Sequence, residues 1–215
     1  LARVTVVNRG PDPASCTVLP TLWFRNTWSW GYESGPMGHT PWKPELSAID
    51  ADGAAADAPA AVVATHPSPS TGTYYWYSDG AEELLFTENE TNTARLFNGP
   101  AVEGAQPTKD AFHDYVVEGD AAAVSSEKRG TKAATLHRLE LGAGESRSID
   151  LRISRSALEK PFGDFSATFE TRRSEAGAFY SALHGAELGE DDRLIQRQAF
   201  AGLLWSKQFF YYDVE

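Results

Sequence analysis

Glu88 and Glu90 stand two residues apart in the stretch LLFTENETN. Alternate residues of a strand share a face, so both carboxyl groups would point one way about 7 Å apart. That separation suits a pair in which one acid protonates a leaving oxygen while the other activates water. Any Glu-x-Glu on an exposed strand gives the same geometry, however, and a solvated strand face is the preferred reading. Asn89-Glu90-Thr91 also forms an N-glycosylation sequon, meaningful only in a protein secreted from a eukaryote. A second polar cluster, Lys109, Asp110 and His113 in KDAFHDYVV, reads as a strand entry carrying a hydrogen-bonded histidine. The sequence has no G-x-S-x-G, H-E-x-x-H or glycine-rich phosphate loop. Its histidines, at 39, 66, 113, 137 and 184, lack ligand spacing, so neither a metal nor a cofactor is expected.

The third candidate is aromatic. In LPTLWFRNTWSWG, from Leu19 to Gly31, strand alternation sends Leu22 and Phe24 to one side and Trp23 to the other. Arg25-Asn26-Thr27 then breaks the ladder and leaves Trp28 and Trp30 on a turn. A core indole must find a partner for its N–H, whereas one at a loop tip can stack on a sugar while Arg25 and Asn26 donate to hydroxyls. The rings could instead close the end of a core or dock another domain. Leu22, Trp23 and Phe24 are read as strand and core.

These groups need elements to hold them. Residues 1–155 read mostly as β structure. Val4, Val6 and the run Val18 to Phe24 flank NRGPDPAS, a hairpin or loop. Further strand candidates are Ala61 to Thr65, Thr73 to Tyr77, Glu83 to Glu88, His113 to Glu118, Thr131 to Leu141 and Arg147 to Ile153. LHRLEL places Leu136, Arg138 and Glu140 on one face and His137, Leu139 and Leu141 on the other, while Ile149, Leu151 and Ile153 share a face. Both patterns predict half-buried antiparallel strands, with GAGES as the hairpin turn between them. Ala51 to Pro69, rich in Ala, Asp and Pro, reads as a loop insertion.

After Pro161 the period changes. Phe165, Phe169, Ala176, Phe179, Tyr180 and Leu183 recur at helical spacing, with Gly185 where a cap would stand. A second helix is predicted from Glu190, where three acidic residues suit the positive end of the dipole. It runs through AFAGLLWSKQFFYYDVE and is apolar nearly all round, which requires cover from several sides. The expected organisation is a β-sandwich over 1–160 followed by helices over 161–215.

The chain has 215 residues, room for one large domain or one and a half small ones. Its 19 basic and 30 acidic residues give a net charge of −11, so its summed field repels phosphate backbones and anionic lipids, and neither nucleic acid nor a membrane is an expected partner. Cys16, the one cysteine, is read as a buried thiol. No apolar run nears the ~20 residues that span a bilayer, and LARVTVVN lacks signal-peptide features, so a cytoplasmic location is expected. A chain opening directly in strand-like sequence reads as a piece of a longer polypeptide.

VTVVNRGP, LPTLWFRNTWSWG, ELLFTENETN, KDAFHDYVV, GTKAA and RQAFAGLLWSKQFFYYDV follow one another from Val4 to Val214. In that order they resemble a bacterial glucosidase-like family related to glycoside hydrolase family 63, which includes mannosylglycerate-hydrolase-like proteins. The resemblance implies an N-terminal β-supersandwich joined by helices to a C-terminal (α/α)6 barrel, with inverting hydrolysis by two carboxylic acids in the barrel. On this reading the chain comprises the later sandwich, the linker helix and the first barrel helix, and carries no catalytic residue. The resemblance also makes Arg25, Asn26, Trp28 and Trp30, with Trp205, Lys207, Gln208, Tyr211 and Tyr212 on the last helix, candidates for docking the barrel or touching a carbohydrate substrate, and the polar cluster Lys109, Asp110 and His113 is a candidate beside them. A stand-alone carbohydrate-binding module and an assembly domain are the alternatives, and the apolar terminal helix predicts some self-association.

Overall fold

The structure is a computed structural model that describes residues 1–30, 42–49, 58–99, 106–185 and 187–206. The chain divides into two units, Leu1–Gly163 and Asp164–Glu215. Among the described residues ten strands build the first: β1 (Ala2–Val7), β2 (Ala14–Val18), β3 (Thr21–Trp23), β4 (Glu45–Ala48), β5 (Ala60–His66), β6 (Gly72–Ser78), β7 (Glu83–Thr87), β8 (Arg129–Gly130), β9 (Lys132–Leu141) and β10 (Ser146–Ser154). They form two antiparallel sheets. One has the order β1-β10-β6-β5-β4-β8, and in the other β9 is central, with β2 and β3 along one edge and β7 along the other. β2 and β3 keep one register on β9, from Val18 opposite His137 to Thr21 opposite Ala134. They are one line of chain interrupted at Pro20, which has no N–H to give but accepts from Thr135 N at 3.0 Å.

The sheets meet across a shared apolar core. Leu46, Val62, Ala64 and Trp76 from one pack with Phe86 and Ala133 from the other, and Leu22, Phe24, Tyr74, Leu84 and Leu151 fill in around them. The far face of the β9 sheet is buried as well. Leu85, Ala134 and Leu136 pack against Phe112, Tyr115 and Val116. β9 is therefore covered on both faces through its first half, while from His137 to Leu141 exposed residues alternate with buried or half-buried ones, as the pattern of LHRLEL predicts. His137 is 2% exposed, and its Nε2 lies 3.0 Å from the hydroxyl of buried Ser78 on β6, bridging the two sheets.

Several expectations are corrected. β9 and β10 belong to different sheets, so GAGES is a crossover and not a hairpin, although Glu145 N does bond Gly142 O at 3.0 Å. The loop NRGPDPAS is also a crossover, and Asn8 ties the two together: its side-chain amide donates to the carbonyls of Asp12, Leu141 and Gly142 at 2.8, 3.0 and 3.1 Å. His113 to Glu118 is not a strand. The helix α2 (Ala111–His113), after α1 (Thr93–Phe97), continues as a π turn over Asp114–Glu118 and stops at Gly119, with φ 72°. Phe112, Tyr115 and Val116 recur at helical spacing and supply the apolar cover that the β9 sheet needs. The loop reading of Ala51 to Pro69 does not extend over residues 60–66, which form β5 with Val62 in the core, as the strand reading of Ala61 to Thr65 expects. Cys16 is exposed, because β2 is an edge strand whose residues are mostly open to solvent.

The second unit holds α3 (Phe165–Leu183) and α4 (Glu190–Ser206), as the periodicity predicts. α3 ends at His184 in an extended conformation, and Gly185 is not a left-handed cap. His184 Nδ1 lies 2.8 Å from Gln196 Oε1.

Candidate functional site

Three segments that are distant in sequence converge on the stretch Glu88-Asn89-Glu90. β7 stops at Thr87, after which Glu88 N bonds Pro107 O at 2.7 Å and Lys109 N bonds Glu90 O at 3.1 Å, so the chain leaves the sheet and runs beside 107–109. Asn89 lies at the junction. Its backbone N–H donates to Thr131 Oγ1 at 2.6 Å, its side-chain amide donates to Phe24 O at 3.0 Å, and its own carbonyl accepts from Asn26 Nδ2 at 2.8 Å. Asn26 Oδ1 accepts from Ser29 N and Ser29 Oγ, which folds Trp28–Trp30 into a single 3-10 turn. The Trp28 indole N–H then donates to Glu90 Oε1 at 2.9 Å.

Both carboxylates flagged in the sequence lie here, and both are engaged. Glu88 Oε2 accepts from Thr131 Oγ1 at 2.7 Å and pairs with Lys43 Nζ at 3.0 Å, while Glu90 Oε1 is 3.7 Å from the same ammonium. Lys43 is half exposed, so the pairing contributes modestly to stability. Its chemical meaning is clear: each carboxylate is an acceptor in fixed bonds, sharing one cation. The ring of His66 packs 5.2 Å from Phe24 and 5.9 Å from Trp42, and burial pushes its pKa down.

The Lys109–Asp110 pair anchors a neighbouring cluster. Asp110 accepts from Thr108 Oγ1 at 2.6 Å, Asn92 Nδ2 at 3.2 Å and Arg95 Nη1 at 3.3 Å, and Arg95 also reaches Asp114 at 3.0 Å. Burial raises the Asp110 pKa, but hydrogen bonds from Thr108, its own backbone and Asn92, with the charge of Arg95, hold it below the usual value. Lys109 Nζ donates to Thr91 Oγ1 at 2.9 Å. Lys132 Nζ donates to Lys109 O at 2.8 Å and lies 4.9 Å from the centre of the Phe112 ring. Burial, then the charge of Lys109, lowers the Lys132 pKa against the pull of Asp110.

Of the residues named from sequence, the structure brings Asn26, Trp28, Lys109 and Asp110 into this network. The Arg25 guanidinium lies 5.2 Å from the centre of the exposed Trp30 ring. His113 is exposed at the end of α2, outside the network. Trp205, in the last turn of α4, is 85% exposed. Lys207, Gln208, Tyr211 and Tyr212 lie outside the described residues. Sequence reasoning missed Lys43, Thr131 and Lys132, which carry no motif, and misjudged Trp23. That ring is 54% exposed, not core. Alternation had placed it opposite Leu22 and Phe24, and that face lies open at this point. Among the described residues no group of three or more His, Cys, Asp or Glu is placed to hold a metal ion, and no helix is long and apolar enough to cross a membrane.

No protein-family model matches the chain. It is similar to uncharacterized protein YMR196W of Saccharomyces cerevisiae, with 33% identity over 239 aligned positions that take in 97% of this chain. The match covers 21% of the yeast protein, so the chain spans about a fifth of that relative's length.

Proposed function

We propose that this chain is the non-catalytic sandwich and linker portion of a glycoside hydrolase of the glucosidase type. The two sheets are the later part of a β-supersandwich, α3 is a linker, and α4 is the first helix of an (α/α)6 barrel. The barrel supplies one carboxylic acid to protonate the glycosidic oxygen and one carboxylate to activate water from the opposite face.

The observation that carries this reading is the open apolar surface of α4, where Leu194, Ile195, Leu203, Leu204 and Trp205 are all exposed. Apolar surface on this scale is stabilised by being covered, at roughly 25 cal/mol per Å². The sequence blocks from Val4 to Val214 and the much greater length of the yeast relative agree with it. The bonds already held by Glu88 and Glu90 support placing the acids elsewhere. The aromatic turn fits docking better than sugar stacking, because the Trp28 N–H is used on Glu90 and Arg25 lies over Trp30.

The test compares this chain with the full product of its gene on a panel of aryl and natural α-glucosides, following anomeric configuration by proton NMR. The full product should hydrolyse at least one with inversion, and this chain none. Hydrolysis by this chain that is lost in Glu88→Gln or Glu90→Gln, or a full product inert on the whole panel, would overturn the proposal.

A further inference from the structure

We propose that the cavity beside Glu88 binds a small uncharged open-chain polyol, whose hydroxyl groups bond Glu88 Oε1, Lys43 and Gln106. The cavity measures about 390 Å³ and is lined from four stretches of chain: 43–45 leading into β4, Glu88 just past β7, Gln106, and 125–131 running into β8. That volume lies at the small end of the range in which proteins hold ligands.

Glu88 is the deepest charged group of the lining, its side chain only 15% exposed. Oε2 takes both of its fixed bonds, from Thr131 Oγ1 at 2.7 Å and Lys43 Nζ at 3.0 Å. Among the described residues Oε1 has no partner, and neither has the Gln106 amide or the hydroxyl of half-buried Ser125. A carboxylate oxygen held largely out of water gains from any donor that reaches it. Lys43 carries three N–H groups, and its bond to Glu88 leaves it donors for a ligand, with Glu90 Oε1 farther off at 3.7 Å.

Charge selects an uncharged ligand. The lining carries both signs, Lys43 and Arg129 against Glu45, Glu88 and Glu127, and the cations are already paired, Arg129 with Glu127 at 2.6 Å and Lys43 with Glu88. An anion meets the carboxylates of Glu88 and Glu45, a cation meets Lys43 and Arg129, and each must break a pair to bind. A hydroxyl does neither, because it donates and accepts at once and can bridge Glu88 Oε1 to Lys43 with both pairs intact. Adjacent hydroxyls on one carbon chain replace several waters with a single molecule. The lining also has no aromatic ring, so the C–H face of a pyranose would find no surface to stack on, whereas an open chain presents no such face. None of this rests on the glycosidase reading.

The experiment is saturation-transfer NMR titration of the whole chain with sorbitol, and with gluconate, glucamine and glucose, which make one end anionic, make one end cationic, or close the ring. A thermal shift would not serve, since polyols stabilise proteins in general by exclusion from their surface. Sorbitol should give a saturable signal, and each of the other three should bind at least about ten-fold more weakly. Glu88→Gln, which turns an amide donor or a weaker acceptor toward the ligand, and Gln106→Ala should each weaken sorbitol about five-fold, the worth of one hydrogen bond. Gln106 is exposed and unbonded, so its variant reports even if Glu88→Gln does not fold. Absence of a saturable signal, which would leave a cavity that holds water alone, would overturn the proposal. So would equal or tighter binding of gluconate, glucamine or glucose, or indifference to both substitutions. Hydrolysis of glucosides by the full gene product would leave the glycosidase reading standing in each of those cases.

Discussion

Replacing Asn89 separates hydrogen bonding from shape at the junction of the site. In Asn89→Ala the Phe24 carbonyl loses the amide donor that it holds at 3.0 Å, in a part-buried setting. One lost bond costs about 1 kcal/mol net, and an acceptor left without a partner adds about 1 more, so a loss of about 2 kcal/mol is expected. Asn89→Asp keeps the shape but turns a carboxylate oxygen toward that carbonyl, and adds a third negative charge between Glu88 and Glu90, which have Lys43 to share. It should therefore destabilise more than Asn89→Ala, by about 1 kcal/mol further. For a unit of this size each kcal/mol lowers Tm by about 2–4 °C, and urea denaturation followed by tryptophan fluorescence gives both numbers. If Asn89→Asp is as stable as Asn89→Ala, the amide does not perform the bonding assigned to it.

Three other perturbations have expected outcomes. Burial lowers the His137 pKa despite the opposing pull of the Gly80 backbone, Glu82 and Asp79, so the fold favours the neutral ring. Its contribution is present above the unfolded value of about 6.5 and is lost as pH falls from there through the folded pKa; urea midpoints at pH 7.5 and 5 should differ, and His137→Gln should flatten the difference. In Gly130→Ala the new Cβ would sit 2.4 Å from the Thr87 carbonyl oxygen, between backbones that cannot both yield, and the expected cost of about 1–3 kcal/mol or more would show in the urea midpoint. Cys16 in the folded protein should react with a thiol reagent such as DTNB at nearly the rate of the unfolded chain, and strong protection would contradict its exposed place on β2.

Strand positions were legible where β-branched and aromatic residues cluster, as in β5, β6 and β7, and where apolar residues alternate, as in β9 and β10, and both C-terminal helices followed from a 3.6-residue period and the acidic start at Glu190. Partners were not legible. Gly142 to Ser146 carries every local sign of a turn, yet nothing in five residues tells whether the chain returns to the same sheet or crosses to another. The 112, 115, 116 spacing of Phe, Tyr and Val was a helical signal, masked by the strand propensity of Val116 and Val117. At the site, the weight of the Glu88-Asn89-Glu90 stretch was visible in its residue types. Its partners Lys43 and Thr131 come from segments more than 40 residues away, and a lone lysine or threonine gives no warning of where it will be held.

The crossovers clasped by Asn8 also set an order of events during synthesis. Among the described residues β1 pairs only with β10, Ala2 opposite Leu151, so within them the first strand has no sheet to join until the tenth has been made. At ribosomal rates of about 5–20 residues per second, that leaves Val4, Val6 and their neighbours waiting some 7–30 s as unpaired chain. β5 and β6, adjacent in sequence and joined by a tight turn, can zip within that interval and offer β10 its docking edge. Substitutions in β10 should accordingly slow closure of the whole unit, while those in β1 should mainly hasten its opening.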